Sequence, residues 1–374
     1  MTASLSAAES RELAQSVRAA CSRLAPEEHV RAVAFDRDGA HRGFDPALWR
    51  ALCGQVGVIS IALPDELGGA GYGMTALGVV AHELGRTLAP VPFVASVLAT
   101  SLIVQTNWEP VAEQLAALAA GEITAAAAVC NTNGEWGRDS TALTARRDGA
   151  GWFIDGKMRH VLGAAAAEML VVVASIDGQR EIFLVEAASD GVEVRAERVL
   201  DGTRPMATVV LRGAPGLRLS DGPADATIEL CVQRTLALLC AEQVGACERV
   251  LEIATDYART RQQFGRPIGS FQAIKHRCAD MLVDLEFARS ASQAALQSAD
   301  DDDGELSWRA SMAKAVCSEA LRNASHSNLQ IHGGLGYTWE DSAHLYLKRA
   351  RTDEVLLGGP GYHWDRLAAE AKLL

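Results

Sequence analysis

Residues 257–281 read YARTRQQFGRPIGSFQAIKHRCADM, and the breaks inside this stretch organise the chain on either side of it. Upstream, Leu230, Leu236, Leu239, Val244, Leu251 and Ala254 recur as a broad apolar stripe at helical spacing, which predicts a long helix from about Pro223 through Tyr257. Gly265 and Pro267 close it, since neither residue continues a helix well. A second helix is expected from about Phe271 to Gln297, with the acidic run DDDDGE at 300–305 read as a solvated break, and a third from about Leu306 to Ile331. Long antiparallel helices joined by short loops are what a bundle requires. Arg261 and Phe264, three apart on the expected helix end, would share a face, where a guanidinium can fork onto phosphate oxygens while the ring covers a flat group. An ordinary helix C-terminus, with the arginine favoured by the helix dipole, accounts for the same residues.

Ahead of the bundle, between about Ile123 and Arg212, the runs LTARRDGAGWFIDGKM, EMLVVVAS, REIFLVEA and MATVVLRG are short and β-prone, separated by Gly and Asp turns. From about Ser6 to Gly121 the pattern is helical and alanine-rich, broken at Pro64–Gly73 and Ala89–Pro92. The expected architecture is α+β, with a helical N-terminal domain (1–122), a small middle β-domain (123–222) and a C-terminal four-helix bundle (223–374). No glycine-rich dinucleotide fingerprint precedes a helix.

The chain has 374 residues and a formal net charge of -12, which weighs against nucleic acid as a partner, because phosphate binding needs clustered Lys and Arg. Its eight cysteines (Cys21, Cys53, Cys130, Cys231, Cys240, Cys247, Cys278 and Cys317) form no CxxC pair and no zinc-like spacing, so they are expected to be reduced, mostly buried thiols, with no metal site. The N-terminal residues lack the basic-then-apolar order of a signal peptide, and no apolar run reaches spanning length, so a cytoplasmic protein without membrane contact is expected.

The 257–281 stretch resembles the helix, turn and helix signature of the acyl-CoA dehydrogenase family. Downstream, QIHGGLGYTWEDSAHLYLKRAR (Gln330 to Arg351) is similar to the family's QxxGGxGY signature at the expected distance. LPDELGGAGYG (63–73), followed by AHELGR (Ala81 to Arg86), resembles its N-terminal domain. By residues alone, Gly333, Gly334 and Gly336 make a tight turn or allow close backbone approach to a ligand. The resemblance implies that Arg261, Phe264, Gln272, Gln330, Gly333 and Gly334 reach across a dimer interface to the pyrophosphate and adenosine end of a neighbour's FAD.

The remainder of the family's site is altered. Where the family usually has a TEPxxGSD-like loop, this chain has CNTNGEWGRDS (Cys130 to Ser140). Where it has a WITN-like strand, GKMRHVLG (Gly156 to Gly163) places His160, Leu162 and Gly163 at the Trp, Thr and Asn positions. The family's two glutamate base positions fall on Leu357 and Thr235, and removal of an acyl α-proton requires a base within hydrogen-bond reach. Glu242, seven residues after Thr235 on roughly the same helix face, is either a displaced base or an interhelical hydrogen-bonding group. Glu354 reads as a solvated end charge, and His276 and His332 as packing or surface residues.

One half of a flavin site kept and the other half lost, together with the base, resembles the non-catalytic subunit of an α2β2 heterotetrameric acyl-CoA dehydrogenase of the actinobacterial steroid side-chain type. The resemblance implies FAD shared with a second acyl-CoA dehydrogenase-like subunit, an acyl-CoA substrate and an electron-transfer flavoprotein as acceptor. Two alternatives stand beside it: a complete homotetramer with an unusual base, and an inactive scaffold.

Overall fold

The structure is a computed structural model that describes residues 4–36, 43–131, 142–149 and 151–370. Six helices come first: α1 (Ala7–Leu24), α2 (Glu27–Ala34), α3 (Pro46–Ala51), α4 (Met74–Thr87), α5 (Phe93–Val104) and α6 (Ala112–Ala120). Seven strands follow: β1 (Ala125–Ala128), β2 (Leu143–Asp148), β3 (Gly151–Leu162), β4 (Met169–Ile176), β5 (Gln179–Glu186), β6 (Val192–Ala196) and β7 (Met206–Arg218). The chain then runs through α7 (Asp225–Thr260), a hairpin of β8 (Gln262–Gln263) and β9 (Arg266–Pro267), and the helices α8 (Gln272–Asp301), α9 (Leu306–His332), α10 (Ala343–Val355) and α11 (Pro360–Glu370). The α, β, α order expected from the sequence is present.

Contacts gather the residues into two compact units, one of 1–30, 73–89 and 236–374, the other of 31–72 and 90–235. These cut across the chain-order division, because α1 and α4 fold with the C-terminal helices.

In the second unit the strands β2, β3, β7, β5 and β4 pair in a ring, with β1 added parallel to β4 and β6 antiparallel to β7. Closure leaves few free strand edges. Alternation along each strand fills the interior with Leu143, Ile154, Met158, Val172, Phe183, Val209 and Leu211. α5 is buried nearly all round, as its uninterrupted sequence FVASVLATSLIV requires.

In the first unit α4 crosses α7 at a contact made possible by two glycines. A Cβ on Gly85 would lie 2.0 Å from the Glu242 carbonyl oxygen, and one on Gly245 would lie 1.9 Å from that of His82. Around the crossing, Arg18 pairs with Glu83 at 2.7 Å, His82 with Glu248 at 2.8 Å and Arg86 with Glu252 at 2.8 Å. The AHELGR segment is therefore a packing and ion-pair seam. Burial alone would raise the Glu83 carboxyl, but hydrogen bonds from His82 and Arg18 outweigh it and hold the group at about 2.

Within the acidic run, Asp301, Asp302 and Asp303 are exposed as expected of a solvated break, but Asp300 is not. α8 extends to Asp301, and Asp300 accepts hydrogen bonds from the Met74 backbone N–H at 2.5 Å, the Thr75 N–H at 2.9 Å and the Thr75 hydroxyl at 2.5 Å. It caps the start of α4 from a distant part of the chain, satisfying donors that a helix N-terminus leaves unpaired. Gly73 makes room for it, since a Cβ there would sit 2.0 Å from the Asp300 carboxylate.

Candidate flavin-contacting motifs and the vacated base positions

The region around Arg261 differs from the helix end expected. α7 stops at Thr260, and Gln263 pairs with Arg266 across a two-residue turn made by Phe264 and Gly265, at φ 52° and 73°. Two consecutive left-handed residues are the mark of a type I′ hairpin turn. Arg261 and Phe264 are thus not neighbours on a helix face. The Arg261 carbonyl accepts from the Ile268 N–H at 2.8 Å, which fixes the hairpin base, and Phe264 projects from its tip with 91% of its surface exposed. Phe264 lies edge-on to Phe271, and the Arg266 guanidinium stands 4.1 Å over the Phe271 ring.

The two sequence motifs meet inside the first unit. Tyr257, one turn before Arg261, stacks on His332, immediately before Gly333, with ring centroids 4.1 Å apart. His332 is buried and donates from Nδ1 to the Asn328 carbonyl at 2.9 Å, a packing role as expected. Gly333 takes φ 60°, and a Cβ on Gly333 or Gly334 would meet nothing within 4 Å, so the backbone there is open to a ligand. Arg261, Gln272 and Gln330 are all exposed, and among the described residues their side chains have no hydrogen-bond partner. By contrast, Arg18, Arg86, Arg322 and Arg349 of the same unit are all ion-paired. A free guanidinium, two free amides, an exposed ring and an open glycine pair are groups whose chemistry suits phosphate oxygens and a flat aromatic ring.

The base positions carry no carboxylate. Thr235 is buried and donates its hydroxyl to the Cys231 carbonyl at 2.8 Å. Glu242 is buried against Arg349, which donates to its carboxylate. This pairing matches the interhelical reading of Glu242. Glu354 is not a solvated end charge: it accepts from Arg322 at 2.6 Å and Arg351 at 2.8 Å, and these pairs outweigh burial and lower its pKa.

Leu357 is buried and left-handed, at φ 56°. Its turn is held from two sides. The Lys314 ammonium, fully buried on α9, donates to the carbonyls of Asp353 (2.9 Å), Glu354 (3.2 Å) and Gly358 (3.0 Å). The His363 ring, kept neutral by burial that pushes its pKa to about 3, donates from Nε2 to the Leu357 carbonyl at 3.0 Å. Neither clamp residue stands out in the sequence, because the groups they hold are backbone carbonyls.

The chain matches the acyl-CoA dehydrogenase N-terminal domain over residues 7–136 and the acyl-CoA dehydrogenase C-terminal domain over residues 220–372. It is 36% identical over 334 residues to the acyl-CoA dehydrogenase IpdE2 of Mycobacterium tuberculosis, covering 88% of each chain. This chain belongs to the acyl-CoA dehydrogenase family. Among solved structures, the ChsE4-ChsE5 complex of Mycobacterium tuberculosis superposes with a TM-score of 0.87 at 28% identity, over 99% of both chains. A variant of the Tcur3481-Tcur3483 steroid ACAD gives a TM-score of 0.87 at 28% identity, over 98% of this chain and 99% of that one. The fold is that of the acyl-CoA dehydrogenases, with helical N- and C-terminal domains and a small sheet domain.

Of the altered flavin-ring half, residues 132–140 of the segment Cys130–Ser140 lie outside the described residues. The WITN-like strand is β3. His160 stands on its outer side, Leu162 is half-buried, and Gly163, at φ 74°, donates its N–H to the Pro205 carbonyl at 2.9 Å. Neither Leu162 nor Gly163 offers a polar side chain to a ring. Among the described residues no group of three or more metal-binding side chains occurs, and no helix is long and apolar enough to cross a membrane.

Proposed function

We propose that this chain is a subunit of an FAD-dependent acyl-CoA dehydrogenase, in which it provides the pyrophosphate and adenosine contacts and a partner chain provides the catalytic glutamate. The observation that carries this reading is the contrast between uncommitted Arg261, Gln272 and Gln330 on the surface and a base position filled by clamped, buried Leu357. Arg261 forks onto the pyrophosphate, the amides of Gln272 and Gln330 donate to it or to the adenosine, and Gly333 and Gly334 let their backbone approach closely. Phe264 covers the adenine face. When bound, FAD supplies the acceptor for the hydride leaving the substrate's β-carbon. The α-proton goes to the partner's carboxylate, because no carboxylate of this chain stands free at either base position.

Exposed Phe287, Tyr337 and Trp339, each about two-thirds accessible, support burial of this unit against another chain. The ChsE4-ChsE5 relative was solved as a complex of two named chains. The partner is accordingly a second acyl-CoA dehydrogenase-like subunit in an α2β2 assembly. The steroid-type relative favours a bulky acyl-CoA substrate, and an electron-transfer flavoprotein is the family's usual acceptor.

The test is Arg261→Gln in this chain, co-expressed with a candidate acyl-CoA dehydrogenase-like partner chain. A charge-assisted hydrogen bond is worth about 1.5–3 kcal/mol, so FAD affinity of the pair is expected to fall by about tenfold to a hundredfold. Unchanged affinity would remove Arg261 from the site.

A further inference from the structure

The helices of the first unit enclose a concave surface that the flavin contacts leave unused. α8 and α9 pack against each other, and between them runs a groove of about 420 Å³, walled by Phe287 and Ala291 on one helix and Met312, Val316 and Ala320 on the other. The α9 wall recurs every four residues and so presents a single helix face. From Met312 to Asn323 it extends for about three turns, roughly 17 Å. Ala291 and Ala320 are buried and short, which leaves the channel open, while Phe287 stands 67% exposed one turn after Val283, itself 53% exposed. The outer face of a helix pair that meets only water is ordinarily polar. An apolar channel edged by an exposed aromatic ring has the shape that accepts a third helix.

The charge along the groove narrows the choice of occupant. Each wall contributes one carboxylate, Asp284 from α8 and Glu319 from α9. Asp284 accepts from the Asn323 amide at 3.3 Å, and Glu319 from the Trp364 indole N–H at 3.3 Å. Both donors are neutral, so among the described residues neither carboxylate has a cation to offset it. The arginines of the same helices are engaged elsewhere: Arg289 stands 3.6 Å from both Glu248 and Glu286, and Arg322 pairs with Glu354 at 2.6 Å. A second copy of this chain docked here about a two-fold axis would bring four uncompensated carboxylates into one contact, between chains that each carry a net charge of -12. A helix with Lys or Arg beside its apolar ridge would instead supply the missing cations. Repulsion of the wrong partner and attraction of the right one then come from the same two residues.

We propose that the α8–α9 groove receives an apolar helix flanked by Lys or Arg from the acyl-CoA dehydrogenase-like partner chain, and that Asp284 and Glu319 bar a second copy of this chain from the same place. This rests on the two-subunit reading above and adds to it a selector for the mixed assembly. Phe287 is the anchor, and the two carboxylates set which chain is admitted.

The experiment uses the full chain with a benzophenone-bearing residue in place of Phe287, irradiated alone and mixed with a candidate acyl-CoA dehydrogenase-like partner chain. Cross-linked peptides are identified by mass spectrometry. The expected adduct is with a helix of the partner that carries Lys or Arg beside apolar residues, and none is expected between two copies of this chain. In sedimentation of the pair, Asp284→Lys and Glu319→Lys should each weaken association by about threefold to tenfold at low salt and by less at high salt. Phe287→Ala should weaken it by about tenfold or more at either salt. An adduct between two copies of this chain overturns the choice of occupant. Residue 287 left unlinked, with or without a pair, overturns the docking site, and this readout needs no change at the half-buried carboxylates. Flavin is measured in the same samples. A pair that holds FAD with residue 287 unlinked sinks the groove and leaves the shared flavin site intact, whereas a flavin-free pair cross-linked through residue 287 does the opposite.

Discussion

Replacing Glu83 with glutamine tests how the first unit is held together. Glu83 is 3% exposed, is gripped by Arg18 through two hydrogen bonds of 2.8 and 2.7 Å, and lies 3.5 Å from His82. A carboxyl held at about 2 instead of 4.5 corresponds to about 3 kcal/mol of preference for the charged form in the fold. The Arg18 side chain is 55% exposed, so solvent screens the pair and about 2 kcal/mol is the better expectation. The folded pKa is depressed, so this stability is present above the unfolded value of about 4.5 and is lost as pH falls toward 2. His82 acts with the opposite sign: burial would lower its pKa, but Glu248 and Glu83 raise it, so its contribution is full below about 6.5 and fades as pH rises through the folded value. The window below 4.5 therefore isolates Glu83. Thermal melts of wild type and Glu83→Gln should differ by about 4–8 °C at pH 7, by less than half of that at pH 3, and converge only near pH 2. A difference that stays constant between pH 7 and pH 3 would refute the assignment of the charge to this pair.

Other outcomes follow from the same geometry. Asp300→Ala removes a cap and a charge at the start of α4, and should cost about 2 kcal/mol, read as a lowered denaturation midpoint. Gly245→Ala drives a Cβ against the His82 carbonyl and should destabilise by several kcal/mol, whereas Gly54→Ala, where nothing lies within 4 Å, should be near neutral in the same assay. Burial raises the thiols of Cys53, Cys231 and Cys247 to about 12, so native protein should react slowly with a disulfide reagent at pH 7, Cys278 going first as the more exposed thiol; fast labelling of the others would contradict their burial.

The order of domains is legible because glycine, proline and hydrophobic period change where the architecture changes, at Pro64–Gly73, near Ile123 and near Pro223. The hairpin at 262–267 is not, because QQFGRP carries a helix-ending glycine and proline, and phenylalanine seldom occupies the first left-handed position of a tight turn. Asp300 is hidden for a different reason. Its partners, Met74 and Thr75, lie more than 220 positions away, and a run of four aspartates gives no local sign that one is a cap. Gly85 and Gly245 are likewise a helix crossing only once the chain has folded. The proposed flavin-contacting set is reached through the family motifs, and the structure adds that Tyr257 and His332 lock those motifs side by side. Lys314 and His363 leave no sequence signal because their partners are backbone carbonyls, which every sequence has.

The most direct test is the flavin content and native mass of this chain expressed alone and then with a candidate acyl-CoA dehydrogenase-like partner chain. The shared-site account expects a flavin-poor single chain and a pair that assembles as a tetramer with about one FAD for every two chains. A yellow homotetramer of this chain alone, carrying one FAD per subunit and turning over an acyl-CoA, would contradict it.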